Sequence, residues 1–377
     1  MLVEEPRFLQ VNADIVREGI VSGSDNLLAR LNDISTGHTL PLEEAAAMLG
    51  RELRLNQFVR FTGPGQYQYA RVAARLVKSG NGTIVEFQDP LLKLLDPREN
   101  SRRMHIGEQS MDNILGIKPR DMEQYIAFQY GLLNPEVQLF FLCGSQGSGK
   151  TLLTYVAAVD QVLFYGDEIG KKRGMGDSRK SGGFRHIVLL KPNEVLGGSR
   201  REVGALPGSL YEKMRPHLEP YIDAHEESVL GELFPFEQML YHPRFAQNGF
   251  PERSKEANNA KMPGGAHLPF WEVMRMTYSG FMRGRSFRDT LVIVDEAQNF
   301  TPYEVKTILE RIAEGSKIVI MGDPLQTDNP HCSRGINGLT HAIKHYLDRP
   351  YTALVNLSTN YRSQVSDDAQ GWRTFSS

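Results

Sequence analysis

The chain has 377 residues, 40% of them hydrophobic and 23% charged, with a formal net charge of −2. That is ordinary globular material with room for one large and one small domain, and its charge gives no whole-molecule attraction to nucleic acid. The apolar runs are strand-length and broken by charged residues, so no membrane span is expected. Two cysteines, Cys143 and Cys332, cannot build a disulfide framework, and the start Met1-Leu2-Val3-Glu4-Glu5-Pro6 lacks the basic start and apolar core of a signal peptide. The expected location is cytoplasmic.

Residues 14–32 are mixed and expected to be helical in part, and residues 41–50 read as a short helix. Strand-like stretches follow at 56–62, 67–76 and 83–88, separated by Gly63-Pro64-Gly65 and Gly80-Asn81-Gly82, a pattern that predicts a small antiparallel sheet or barrel. Two uses fit such a module equally: binding single-stranded nucleic acid through Tyr67, Tyr69, Arg60 and Arg71, or serving as a docking or spacer domain. The polar stretch 97–110 reads as a linker, which sets a region 1–110 against a region 111–377.

From Gly116 onward apolar strands alternate with helices, the signature of a parallel α/β sheet. The strands are expected at 137–143, 186–190, 291–295, 317–321 and 352–357. Residues 166–183, rich in Gly, Lys, Arg and Ser, are expected to form a mobile surface loop, and 235–269 an irregular insertion at the sheet edge. Local basic clusters stand at Lys171-Lys172-Arg173, Arg179-Lys180, Arg200-Arg201 and Arg283/Arg285/Arg288. Taken singly, each reads better as solvated surface than as a binding patch.

The most specific feature is Gly144-Ser145-Gln146-Gly147-Ser148-Gly149-Lys150-Thr151, set between a strand-like run and a helix-like one that begins at Leu152. This is a complete phosphate-binding loop. Its glycines let backbone N–H groups turn onto a polyphosphate at a helix N-terminus, Lys150 reaches the β- and γ-phosphates, and Thr151 offers its hydroxyl to Mg²⁺. A second strand ends in Asp295-Glu296. Parallel α/β folds bind ligands at such an edge, so Asp295 is the expected Mg²⁺ carboxylate and Glu296 the group that polarises the attacking water. A third strand runs into Gly322-Asp323-Pro324-Leu325-Gln326. Gln326 there can sense a γ-phosphate through a neutral amide.

With these three elements the chain resembles the superfamily 1 helicase-type ATPases, and within them the PhoH family, over roughly residues 116–368. The family-specific pieces are Gly116-Ile117-Lys118-Pro119-Arg120-Asp121-Met122-Glu123-Gln124; Lys191-Pro192 with Gly204-Ala205-Leu206-Pro207-Gly208 and Glu212-Lys213-Met214-Arg215-Pro216; Arg283-Gly284-Arg285-Ser286; and Asn299. The resemblance implies a single RecA-like core behind a β-rich N-terminal domain, and ATP as the nucleotide. It implies that Gln124 reads the adenine edge, with the nucleotide held from Gly144 to Leu152. Two departures stand out. The family's usual Arg-Pro is Lys191-Pro192 here, and the two cations are not equivalent donors. Leu357-Ser358-Thr359-Asn360-Tyr361-Arg362-Ser363 looks like a general superfamily 1 motif, which makes Arg362 a candidate arginine finger against Arg283 and Arg285, or alternatively a surface ion-pair residue.

Residues from about 19 to 116 resemble the region that joins an RNA-cleaving PIN domain to the ATPase in two-domain PhoH proteins. The acidic cluster of a PIN domain has no counterpart between Met1 and Leu40, so nuclease activity is not carried over. The resemblance then implies an ATPase coupled to RNA or other single-stranded nucleic acid. It also implies assembly into a homo-oligomer such as a hexameric ring, and a separate nuclease as a partner. The competing expectation is a regulatory or assembly ATPase that acts on protein partners without unwinding.

Overall fold

The computed structural model describes residues 11–33, 38–62, 67–78, 84–95, 113–173, 184–192, 210–240, 274–278, 286–362 and 365. Two sheets organise it. The first is five-stranded, in the order β1-β3-β4-β5-β2, from β1 (Ile20–Ser22), β2 (Thr39–Pro41), β3 (Phe58–Thr62), β4 (Tyr67–Lys78) and β5 (Ile84–Leu94). It is mixed, not purely antiparallel, because β1 lies parallel to β3. Helices α1 (Asp25–Asn32) and α2 (Leu42–Leu49) accompany it. Ser24 caps α1 through the Leu27 N–H, and the chain leaves α2 at Gly50 in the left-handed conformation.

The second sheet is six-stranded and wholly parallel, in the order β11-β6-β10-β9-β7-β8. Its strands are β6 (Leu139–Gly144), β7 (His186–Lys191), β8 (Met274–Tyr278), β9 (Thr290–Val294), β10 (Lys317–Gly322) and β11 (Thr352–Leu357). Every residue of β6, β9 and β10 is buried, as continuous apolar runs covered on both faces require. The helices that follow are α3 (Met122–Ile126), α4 (Lys150–Arg173), α5 (Leu210–Glu227), α6 (Pro302–Leu309) and α7 (Gly338–Tyr346). A capping box between Thr301 and Glu304 starts α6, Asn337 caps α7, and Asp121 caps α3. This is a RecA-like phosphate-loop core preceded by a small β-rich unit.

Several expectations change. α4 runs on through Arg173, so residues 166–173 are helical and not loop; the rest of that stretch lies outside the described residues. Of residues 235–269, a 3-10 turn at Phe236–Met239 and Leu240 are described. The edge strand β8 was not anticipated. The linker 97–110, Arg179, Lys180, Arg200, Arg201, Arg283 and Arg285 all lie outside the described residues. No helix among the described residues is long and apolar enough to cross a membrane.

The two sheets share one interior. Phe58 and Tyr69 belong to the same apolar cluster as Tyr130 and Phe140. The N-terminal 3-10 turn Ala13–Gly19 packs on β11, where a Cβ on Gly19 would stand 2.0 Å from the Leu354 carbonyl oxygen. Asn56 donates from Nδ2 to the Pro350 and Thr352 carbonyls at 3.0 and 3.1 Å and accepts from Arg71 at 2.6 Å. Arg71 also lies over the Tyr130 ring, 4.9 Å from its centroid. Tyr69 is buried and its hydroxyl pKa is pushed up to about 12, chiefly by that burial. Of the residues expected to meet nucleic acid, Tyr69 and Arg71 are therefore consumed by the junction and offer no stacking platform, Arg60 lies 3.5 Å from Glu123, and the Tyr67 side chain lies outside the described residues.

Candidate active site

The phosphate loop leaves β6 and enters α4 as its flanking runs dictate. Gly147 and Gly149 have φ of +82° and +92°, a region that glycine adopts freely. A side chain would be strained at either position and crowded most at Gly147. A Cβ on Gly147 would lie 2.3 Å from Asn360 Oδ1 and 2.5 Å from Arg362 Cγ, and one on Gly149 would lie 3.1 Å from Gln124 Nε2. The N–H groups of Gly147, Gly149, Lys150 and Thr151 have no hydrogen-bond partner among the described residues. Unsatisfied donors at a helix N-terminus form a cradle for an anion. Lys150 Nζ donates to the loop's own carbonyls, Gly144 O at 2.7 Å and Ser145 O at 2.8 Å. Burial lowers its pKa, while the Glu296, Asp295 and Asp323 carboxylates oppose that shift. A triphosphate fits this donor set, with Lys150 free to exchange carbonyls for phosphate oxygens.

The other predicted residues come from the ends of β9, β10 and β11 and from α3. Asp295 follows β9 and is 3% exposed; its Oδ1 accepts from the Glu296 N–H at 2.9 Å. Glu296 sits in the left-handed region at φ +54°. Burial, then the Asp295 charge, raises its pKa above the usual carboxylate range. Gln326, beyond β10, presents its carbonyl to the Gln298 side chain at 3.1 Å. Arg362, beyond β11, is exposed and donates to Gln146 Oε1 of the loop at 3.4 Å. The chain carrying it lies across the loop: Tyr361 N–H donates to Gly147 O at 3.1 Å, Tyr361 OH to Asp121, and Ser358 N–H to Glu123 at 2.7 Å. Gln124 is buried under the loop, donating to Ser148 O at 3.0 Å and accepting from the Arg120 N–H at 2.9 Å, so both ends of its amide are engaged by protein. Thr151 and Leu152 are half-buried in the first turn of α4. A cleft of about 670 Å³ opens beside Gly144 and Ser145, roofed by Arg17, Glu18 and Arg60.

A model of the PhoH-like protein family matches residues 176–368. The chain belongs to the PhoH family. The PhoH2 protein of Bacillus subtilis is 32% identical over 260 residues, which cover 68% of this chain and 47% of that protein. PhoH2 of Thermobispora bispora is 27% identical over 367 residues, 92% of this chain and 72% of that one. The PhoH-like protein of Bacillus subtilis is 32% identical over 192 residues, covering 51% of this chain and 44% of its own length. The chain thus spans under half the length of both Bacillus relatives. A solved structure of the PRRSV helicase aligns with 81% of this chain and 44% of its own at 12% identity and a TM-score of 0.28.

The PhoH-family core also contains residues to which sequence reasoning gave no role. Gln298, 1% exposed, donates from Nε2 to Glu296 Oε2 at 2.5 Å and to Gln326 O at 3.1 Å, while its Oε1 accepts from the Asp323 N–H at 3.1 Å. It joins the ends of β9 and β10. Lys191 Nζ stands 2.6 Å from Asp295 Oδ2, and Tyr221 OH donates to the same oxygen at 2.9 Å. The signal for Lys191 was present in the strands. β7 pairs with β9 in a register that matches Leu190 to Val294, so the next residues along, Lys191 and Asp295, fall side by side.

Proposed function

We propose that this chain hydrolyses ATP with Mg²⁺ and couples the reaction to single-stranded nucleic acid, RNA in the first instance. The observation that supports the hydrolytic half is the phosphate loop with Lys150 set among the Asp295, Glu296 and Asp323 carboxylates at the ends of β9 and β10, and with Arg362, beyond β11, against Gln146. Lys150, released from Gly144 O and Ser145 O, neutralises charge on the transferring phosphoryl group. Glu296, with a raised pKa and a carboxylate steadied by Gln298, accepts a proton from the attacking water. Arg362 is the finger supplied within the same chain, its guanidinium already beside Gln146. Gln124 contributes to adenine selection once its amide exchanges protein partners for base. Thr151 and Asp295 are the residues that would hold the metal, which would supply charge neutralisation on the phosphates. Arg283 and Arg285 remain fingers for a neighbouring subunit in a ring.

The nucleic-acid half draws its support from the helicase-type motif set. The cleft beside the loop does not add to it. Arg17 pairs with Asp14 at 3.7 Å, Arg51 with Glu18 at 2.6 Å and Arg60 with Glu123 at 3.5 Å, so its cations are already matched by acids. This balance favours the second reading, an ATPase that works on protein partners such as a separate nuclease. ATPase assays with and without single-stranded RNA, beside native mass with ATP, test both. Lys150→Ala should abolish hydrolysis, and Glu296→Gln should bind ATP but turn it over slowly; parent rates in either variant would overturn the site. Salt-sensitive stimulation by RNA in an oligomer supports the first reading. An unstimulated monomer supports the second.

A further inference from the structure

Asp295 is not a free carboxylate waiting for a metal. It accepts three hydrogen bonds: Oδ2 from Lys191 Nζ at 2.6 Å and from Tyr221 OH at 2.9 Å, and Oδ1 from the Glu296 N–H at 2.9 Å. A carboxylate offers about four acceptor positions, so one remains, on Oδ1. Lys191 is 7% exposed and Tyr221 is fully buried. The ammonium also lies 5.6 Å from the centroid of the Tyr221 ring. Among the described residues no group of three or more His, Cys, Asp or Glu side chains could hold a metal ion. The protein thus presents Mg²⁺ with a carboxylate whose charge an internal cation already matches.

We propose that Lys191, held by Tyr221, is a resident counter-cation of Asp295 that competes with Mg²⁺ for this carboxylate and so raises the Mg²⁺ concentration needed to fill the nucleotide-loaded site. The proposal rests on the nucleotide-binding reading above and adds a residue to it. Two cations within a few ångströms in a poorly solvated pocket repel strongly. Free metal therefore meets an Asp295 carboxylate that is already paired, while Glu296 and Asp323 stand beside Lys150, and nucleotide phosphates supply the ligands that let the metal displace the ammonium. Lys191 acts here as a positioning residue. A purely structural ion pair would lower stability when broken and leave the metal requirement alone.

The test is a Mg²⁺ titration of the parent protein and its variants at saturating fluorescent ADP, read as nucleotide fluorescence. Lys191→Met removes the competing charge at nearly constant length, and its Mg²⁺ half-saturation should fall by at least about fivefold. Tyr221→Phe keeps the fold and the ammonium but frees one acceptor position, and should lower half-saturation by about threefold. Lys191→Arg, which restores a cation, should stay near the parent. If Lys191→Met does not fold, Tyr221→Phe decides. Unchanged half-saturation in the folded variants overturns the proposal. A parent that binds no ADP at any Mg²⁺ concentration overturns the nucleotide reading itself, and the two failures are distinct.

Discussion

Replacing Gln298 by leucine tests the proposed role of Glu296 as general base. Leucine fills a similar volume but deletes all three hydrogen bonds of the amide: to Glu296 Oε2 at 2.5 Å, to Gln326 O at 3.1 Å, and from the Asp323 N–H at 3.1 Å. The bond to the carboxylate is the strong one, and the Asp323 N–H is left buried without a partner. Together these losses, offset in part by the added apolar burial, cost about 2–4 kcal/mol of stability. The effect on rate should be larger than the effect on stability. A positioned base contributes on the order of 10²–10⁴-fold, and a shift of about 1 Å in its position removes on the order of 10²-fold. Gln298 also opposes the burial and the Asp295 charge that raise the Glu296 pKa, so its loss pushes that pKa further up. A base works deprotonated, so the acidic limb of the pH–rate profile must move to higher pH. Steady-state ATPase measurement from weakly acidic to alkaline pH, with fluorescent-ATP binding as the control for folding, reads each effect. A folded Gln298→Leu protein with the parent's rate and acidic limb would refute the reasoning.

Glu296 carries a second, linked consequence: burial and the Asp295 charge hold its folded-state pKa above the ordinary glutamate value, so the stability it contributes is full below that ordinary value and is lost as pH rises through the folded pKa. Nucleotide-free Glu296→Gln should therefore melt above the parent at neutral pH, with the gap closing on acidification; a constant gap across pH by calorimetry would contradict this. Gly147→Ala forces a Cβ to 2.3 Å from Asn360 Oδ1 at a φ of +82°, and should weaken fluorescent-ATP binding by about tenfold or more. Adding Asn360→Ala should restore part of that loss, whereas no rescue would mean that Asn360 is not what Cβ meets. Asn56→Ala removes two donors to β11 and its approach and one acceptor for Arg71, and should cost about 2–4 kcal/mol in urea unfolding, with Asn56→Asp retaining only the Arg71 bond.

The parts of this molecule that were legible in its sequence are those fixed by local chemistry. Continuous apolar runs such as Leu291-Val292-Ile293-Val294 admit little but a buried strand, and the observed β9 is buried throughout. The phosphate loop was readable because its glycine spacing has one geometric use. The edge strand β8, Met-Arg-Met-Thr-Tyr, alternates too briefly to stand out and gains its identity from pairing with β7. α5 contains Pro216 and Pro220, which argue locally against a helix, yet it delivers Tyr221 to Asp295 from 74 residues away. The Arg362–Gln146 contact spans 216 residues and the Asn56–Pro350 contact 294. Motif likeness could nominate Arg362, but tertiary packing alone could spend Arg71 and Tyr69 on the junction.

That junction bears on how hydrolysis could be put to use. The N-terminal unit is anchored to the sheet edge at β11 by the Asn56 bonds and by the close approach of Gly19 to Leu354. The same strand continues into Ser358–Arg362, which crosses the phosphate loop and is pinned to Glu123 and Asp121. β11 therefore has the N-terminal unit on one side and the nucleotide site at its end. On the opposite flank, Lys191 and Tyr221 tie β7 and α5 to Asp295, and Gln298 ties β9 to β10. Movement of Lys150 from loop carbonyls to phosphate would disturb the loop beneath Tyr361 first, because Gly147 O is bonded to that residue directly. The β11 side, rather than α5, is then the shorter mechanical route out of the site. A partner protein that senses nucleotide state through this route would do so on the surface shared by residues 358–362 and the N-terminal unit.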